Sequence, residues 1–122
     1  MSAHHTCSTI AVSCIDFRFQ KFIETWLNKK IGVKQYDRVA WAGGVFDRNG
    51  ILKQLDISVR LHHIKKVILI NHEDCGAYGV SGTPEKHRSD LIATRVKIHT
   101  LYPRLKITLY YLLLDGTFKK IR

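Results

Sequence analysis

Residues that can bind a metal or move a proton are concentrated in two short segments of the sequence. Residues 14–18 have the sequence CIDFR, and residues 72–76 have the sequence HEDCG. Thiolates and a neutral imidazole are ligands that Zn²⁺ prefers, so Cys14, His72 and Cys75 could hold one zinc ion if the segments meet. A set of three protein ligands leaves one position open, as in catalytic zinc sites.

Asp16 and Arg18 place a carboxylate and a guanidinium beside the first of these cysteines. Alternate residues at a strand end point the same way, so Cys14 and Asp16 are expected on one side. Asp16 could accept a proton or a hydrogen bond from a metal-bound water, or it could occupy the fourth position itself. Arg18 could pair with Asp16 and hold it ionised and oriented. A bound water with a pKa near roughly 7 would supply hydroxide for attack on a small electrophile.

The two segments can meet only if the elements before them are neighbouring parallel strands. The hydrophobic pattern predicts strands over residues 9–15, 38–42, 66–71, 105–114 and 117–121. Helices are predicted over residues 17–30, from the Asp47 cap to His62, and from Thr83-Pro84 to Pro103. This alternation predicts a doubly wound α/β domain. Its four parallel strands are followed, after Asp115-Gly116, by a short antiparallel edge strand.

Such a fold places the candidate residues at one edge of the sheet. The common strand order 2-1-3-4 reverses between strands one and three, and ligands bind beyond the carboxyl ends of the strands at that reversal. Cys14 follows the first predicted strand and His72 follows the third. The prediction is therefore that the two loops touch.

The length, charge and composition of the chain restrict its domain number, its partners and its compartment. The chain has 122 residues, with 20 Lys+Arg against 10 Asp+Glu and a formal net charge of +10, so one domain with an anionic partner is expected. The basic residues are scattered without a basic-aromatic stripe, which disfavours nucleic-acid binding. No stretch approaches 18 apolar residues, so no membrane span is expected. Three cysteines without a secretory signal favour the cytosol and free thiols.

The paired motifs resemble the signature of the β-class carbonic anhydrases, from about Thr9 to the end of the chain. The resemblance implies that Cys14, His72 and Cys75 bind zinc and that Asp16 and Arg18 form the dyad beside it. It also matches an Ala-Gly segment at residues 42–44 to one near the family's site. Only eight residues precede Thr9, which suggests a short member that lacks the longer N-terminal arm of many relatives.

The resemblance implies reversible hydration of carbon dioxide to bicarbonate and a proton, by attack of zinc-bound hydroxide, in a homodimer or higher homo-oligomer. Gly43 and Gly44 could turn backbone amides towards bicarbonate, or could form only a tight turn. The chain has Phe17 where a serine is common, and Ala40-Trp41 where Arg-Asn is common. The alternative is a zinc-binding relative that hydrolyses another small electrophile, or a non-catalytic metal-stabilised module.

Several of these candidate residues could instead have only a structural role. Cys14 and Cys75 could be small core thiols, and Asp16 with Arg18 could be only a structural ion pair. The other six histidines are expected mostly at the surface, with His87 the candidate proton shuttle. Residues 1–8 are predicted to fray, which leaves Cys7 idle, although residues 4–7 (HHTC) could bind a metal adventitiously.

Overall fold

A computed structural model describes residues 5–122 of the chain. Its elements are β1 (Thr9–Ser13), α1 (Gln20–Lys30), β2 (Tyr36–Ala40), α2 (Arg48–His62), β3 (Lys66–His72), α3 (Pro84–Leu101), β4 (Lys106–Leu112) and β5 (Phe118–Ile121). Single 3₁₀ turns cover Gly44–Phe46 and Gly79–Ser81. The five strands form one sheet in the order β2-β1-β3-β4-β5. Strands β1 to β4 are parallel and β5 is antiparallel to β4, which confirms the predicted fold class and strand order.

Helices cover both faces of the sheet. On one face, α2 and α3 bury an apolar stripe against β1, β3 and β4, formed by Ile51, Leu55, Leu91 and Ile98. On the other face, α1 and the residue before it bury Phe19, Ile23 and Leu27. Burial on both sides explains why residues 67–70 of β3 are an unbroken run of apolar residues. None of the helices in the described part of the chain is long and apolar enough to cross a membrane.

The register of β1 and β3 brings the two candidate segments together. Thr9 pairs with Lys66 and Val12 with Leu69, so the strands run side by side from their first residues. Both strands then end at the same edge, where residues 14–18 and 72–76 begin their loops. Trp41 N donates to Ser13 O at 2.7 Å, which brings the end of β2 to the same edge.

Most element boundaries differ from the prediction by one to three residues, and two of these differences have a clear local reason. α1 begins at Gln20 rather than at Phe17, because the Asp16 carboxylate accepts a hydrogen bond from Arg18 N and turns the chain before the helix. β2 spans Tyr36–Ala40 rather than residues 38–42, because Trp41 O accepts from Gly44 N and starts a turn. Asp47 and Thr83 cap α2 and α3 as predicted, by accepting from Gly50 N and Lys86 N.

The N-terminal segment predicted to fray lies partly within the described residues. Cys7 N donates to His62 O, and Ser8 O accepts from both Lys65 N and Lys66 N. These hydrogen bonds attach residues 7 and 8 to the end of α2 and the start of β3. His4, the first histidine of the predicted metal-binding run, lies outside the described residues.

A buried polar network joins the end of β3 to α3. Asn71 Nδ2 donates to Tyr78 Oη at 3.1 Å and to His87 Nδ1 at 2.9 Å, and Tyr78 Oη donates to Asp90 Oδ2 at 2.9 Å. His87 is 0% exposed, so the expectation that it lies at the surface and shuttles protons is wrong. Thr83 starts α3 so that its first turn carries this ring inward beneath Tyr78.

Protonation of His87 should destabilise the fold. Burial is the main cause that lowers the pKa of His87 from 6.5 to about 4, and the unfolded chain therefore binds the proton more readily. The neutral ring stabilises the fold above the unfolded pKa, and this contribution is lost as the pH falls from 6.5 towards 4. We expect the free energy of unfolding to fall by about 2 kcal/mol more in wild type than in His87→Asn between about pH 7 and pH 5.

Urea unfolding of zinc-loaded protein, followed by circular dichroism, measures this difference. Asn keeps an acceptor for Asn71 and does not titrate. His99→Asn, at an exposed position on α3, is the matched control and should keep the wild-type slope. Equal pH slopes for wild type and His87→Asn would contradict the assignment.

Candidate metal centre

Cys14, His72 and Cys75 converge as their spacing predicts. Their ligand atoms all lie within 4.8 Å of one another. Cys14 directly follows β1, His72 is the last residue of β3, and Cys75 lies in the loop after it. The three residues are 7%, 3% and 6% exposed, so water is largely excluded from the cluster.

The hydrogen bonds of His72 leave one ring nitrogen available at the centre of the cluster. His72 Nδ1 donates to Glu73 O at 2.7 Å, which places the lone pair on Nε2. Nε2 is buried, and it has no hydrogen-bond partner among the described residues. A buried polar atom without a partner costs free energy, and a metal ligand bond is one way to satisfy it. Two thiols and this nitrogen are a donor set that fits Zn²⁺.

The two thiols differ in their surroundings. Burial opposes ionisation of Cys14, but the neighbouring His72 imidazole and the hydrogen bond from Gly43 N, at 3.2 Å, outweigh it and lower its pKa to about 7. Burial, and then the neighbouring Cys14, raise the pKa of Cys75. In the metal-free protein Cys14 therefore ionises before Cys75, and metal binding would release the remaining proton.

The glycine pair at residues 43 and 44 lets the backbone approach the cluster. Both residues have left-handed backbone, with φ of 79° and 58°. A Cβ on Gly43 would lie 2.7 Å from Phe46 Cβ, and one on Gly44 would lie 2.6 Å from Asn71 Oδ1. Gly43 N donates to Cys14 Sγ and Gly44 N donates to Trp41 O, so both amides already have acceptors within the protein. The geometry favours the tight turn over the predicted bicarbonate-facing amides.

Asp16 and Arg18 form the predicted pair, and Arg18 also reaches the second loop. Arg18 Nη2 donates to Asp16 Oδ2 at 2.7 Å, and Arg18 N donates to Asp16 Oδ1 at 2.9 Å. Arg18 Nη2 and Nη1 donate to Asp74 O and Oδ2, at 2.9 and 3.1 Å. Hydrogen bonds from Arg18 are the main reason that the pKa of Asp16 falls to about 2. Both carboxylates raise the pKa of Arg18 above its ordinary value.

Asp16 lies beside the cluster rather than within it. Its Oδ2 is 4.0 Å from His72 Nε2, and both of its oxygens accept from Arg18. The Asp16 side chain is 15% exposed, so a carboxylate oxygen stands at the mouth of the cluster. This geometry supports a carboxylate that accepts hydrogen bonds beside the metal over one that ligates it.

Two residues that the sequence did not single out support the site. Asp74 lies in the loop with its side chain 70% exposed, has a left-handed backbone with φ of 58°, and accepts from Arg18. Gln20 Nε2 donates to Cys14 O at 3.0 Å and to Asp16 O at 2.7 Å, and its Oε1 accepts from Arg38. Gln20 stands at the first position of α1, where a side chain can reach back to the preceding loop. That position is the sequence feature from which its contacts with the loop could have been predicted.

Comparison with known proteins agrees with the geometry. The family described as "Putative carbonic anhydrase" matches residues 4–122. An uncharacterized protein of Rickettsia conorii is 29% identical over 134 aligned residues, which cover 93% of this chain and 72% of that protein.

Two solved structures share the fold. A carbonic anhydrase from Glaciozyma antarctica superposes with a TM-score of 0.72 at 20% identity, over 99% of this chain and 86% of that one. The β-carbonic anhydrase isoform I of Trichomonas vaginalis superposes with a TM-score of 0.73 at 14% identity, over 99% and 86% of the two chains. With a family match over nearly its whole length and the fold of these structures, the chain belongs to the carbonic anhydrase family.

Proposed function

We propose that the protein catalyses the reversible hydration of carbon dioxide to bicarbonate and a proton, with Zn²⁺ held by Cys14, His72 and Cys75. The observation that supports this most directly is the buried Nε2 of His72, which lacks a partner among the described residues and lies within 4.8 Å of both thiol sulfurs. Zn²⁺ bound there would supply an acidified water, the source of the nucleophile at neutral pH. Membership of the carbonic anhydrase family supports the same chemistry.

Asp16 orients the reacting water. A carboxylate with a pKa of about 2 remains ionised throughout the neutral range, so it accepts a hydrogen bond and does not donate one. If Zn²⁺ is bound at the cluster, this hydrogen bond to Asp16 would leave a lone pair of its water available for attack on carbon dioxide. Arg18 keeps the carboxylate in place from one side with its guanidinium and its backbone N–H.

The proton released by hydration leaves through solvent and buffer. His87 does not carry it, because the ring is fully buried and its Nδ1 already accepts from Asn71. A protein with a formal net charge of +10 also attracts the bicarbonate anion by long-range electrostatics.

The first test is the activity of Asp16→Asn. We expect zinc-loaded wild type to hydrate carbon dioxide between pH 7 and 9 in a stopped-flow indicator assay. Asn keeps the size of the side chain but loses the negative charge, so activity should fall by about 10- to 100-fold while bound zinc is unchanged. Glu24→Gln, which removes a carboxylate from an exposed position on α1, is the matched control and should keep full activity.

Two results would count against the proposal. Zinc-loaded wild type with no hydration activity would refute the function, and activity on another small electrophile would then favour the alternative relative. Full activity in Asp16→Asn would refute the role of the carboxylate while leaving the function in place.

The second test is Gly43→Ala. A new Cβ would lie 2.7 Å from Phe46 Cβ and 3.0 Å from Ala77 Cβ, so the turn must shift. This shift should lengthen the hydrogen bond from the backbone N of residue 43 to Cys14 Sγ. We expect lower thermal stability and faster loss of zinc to a chelator. Gly79→Ala isolates the backbone cost of about 1–2 kcal/mol, because Gly79 also has a left-handed φ and nothing within 4 Å of its Cβ position.

Melting temperature and zinc retention in a chelator competition are measured for both variants. Gly43→Ala should lose zinc faster than Gly79→Ala, which should hold zinc as wild type does. Equal zinc retention in the two variants would show that the amide of residue 43 does not support the thiolate.

We also propose that two copies associate over the apolar rim of the site. Ile15 and Phe17, which follow Cys14, are 58% and 86% exposed, and Phe46 is 51% exposed. A monomer seldom exposes neighbouring apolar side chains of this size without a partner.

We place the protein in the cytosol, because Cys7, Cys14 and Cys75 are free thiols that a reducing compartment maintains.

Sedimentation velocity tests the association. We expect wild type to sediment as a dimer or larger assembly, and Phe17→Ser to shift towards the monomer. Val96→Ser removes an apolar side chain that is 59% exposed on α3, and it should leave the assembly intact. A monomeric wild type at micromolar concentration would contradict the proposal.

A further inference from the structure

A second group of metal-ligating side chains lies at the other end of β1. The ligand atoms of Cys7, Asp37 and His62 all lie within 4.8 Å of one another. Cys7 precedes β1, Asp37 is the second residue of β2, and His62 is the last residue of α2. Cys7 and Cys14 are seven residues apart along an extended segment, so about 20 Å separates the two clusters.

The fold holds these three residues together without a metal. Cys7 N donates to His62 O at 3.3 Å, which fastens the segment before β1 to the end of α2. Asp37 Oδ2 accepts from Ser58 Oγ at 2.7 Å and lies 2.6 Å from His62 Nδ1. The side chains of His62 and Asp37 are 26% and 27% exposed, so the cluster is partly shielded and still open to an entering ion.

The donor chemistry suits a borderline divalent metal. A thiolate, a carboxylate and an imidazole are the three side-chain types that bind Zn²⁺ in proteins. The thiolate and the carboxylate together cancel the charge of a divalent cation, which lowers the cost of placing the ion there. The ring centroid of His5 lies 4.8 Å from that of His62, so His5 packs beside the cluster without belonging to the group of three ligand atoms.

We propose that Cys7, Asp37 and His62 form a second site for Zn²⁺ or a metal of similar chemistry. Nothing in the proposed hydration reaction uses these residues. The ion would join three parts of the chain, namely the segment before β1, the start of β2 and the end of α2. Its role is therefore structural, and binding stabilises the folded state because the unfolded chain does not assemble the ligands.

The decisive experiment removes the first centre and counts the metal that remains. In reduced Cys14→Ser/Cys75→Ser protein, titration with Co²⁺ should show one bound ion per chain and a thiolate-to-cobalt charge-transfer absorption. Adding Cys7→Ser should abolish that absorption and lower the Co²⁺ affinity by more than tenfold. His99→Ala, at an exposed histidine outside both clusters, should change neither quantity.

A parallel measurement covers the case in which the double variant does not fold. Zinc-saturated wild type, passed through a desalting column, should retain two Zn²⁺ per chain by elemental analysis. Cys7→Ser and His62→Gln should each retain one, with carbon dioxide hydration unchanged from wild type.

The metal counts and the cobalt absorption decide whether the second metal site exists, independently of the enzymatic activity. One Zn²⁺ in wild type and also in Cys7→Ser overturns the second site, as does an absorption that survives the loss of Cys7. A second ion that His99→Ala removes as readily as His62→Gln shows adventitious binding to surface histidines only, and overturns it too.

Discussion

The parallel pairing of β1 with β3 is the constraint on which the candidate metal centre depends. Cys14 and His72 are separated by 58 positions in the sequence, and only the alignment of Val12 with Leu69 brings the ends of their strands to one edge. The pairing is buried on both faces, so a shift in register would move apolar side chains out of two cores at once. The geometry of the centre is therefore a consequence of the packing of the sheet.

Arg18 offsets the electrostatic repulsion that this pairing creates between the two loops. Bringing the loops together gathers two thiols and two carboxylates, those of Asp16 and Asp74, and like charges at close range repel. The guanidinium lies between the carboxylates and donates to both, so it joins the loops and orients the carboxylate at the mouth of the cluster. Its planar set of donors suits two acceptors at once, which a lysine ammonium does not match.

The sequence predicted the fold and the three converging side chains because both follow from strong local signals. Apolar runs such as residues 66–71 have few alternatives to a buried strand, and the helices between them require parallel pairing. Other details depend on contacts across the fold. His87 was expected at the surface, but it is buried in a network with Asn71 and Tyr78. The two glycine amides donate to Cys14 Sγ and Trp41 O. No single-sequence pattern reports such pairings.

Only one of the two metal-ligating clusters could be predicted from the sequence. Residues 14–18 and 72–76 each combine several chemical groups within five positions, and the topology places them together. Cys7, Asp37 and His62 lie in three distant parts of the sequence, and neither the histidines near Cys7 nor His63 beside His62 indicates that the three come together. Both clusters nevertheless share one electrostatic property. Anionic ligands offset the repulsion between a divalent cation and a chain with a formal charge of +10. Two thiolates would do this at one end of β1, and a thiolate with a carboxylate would do it at the other.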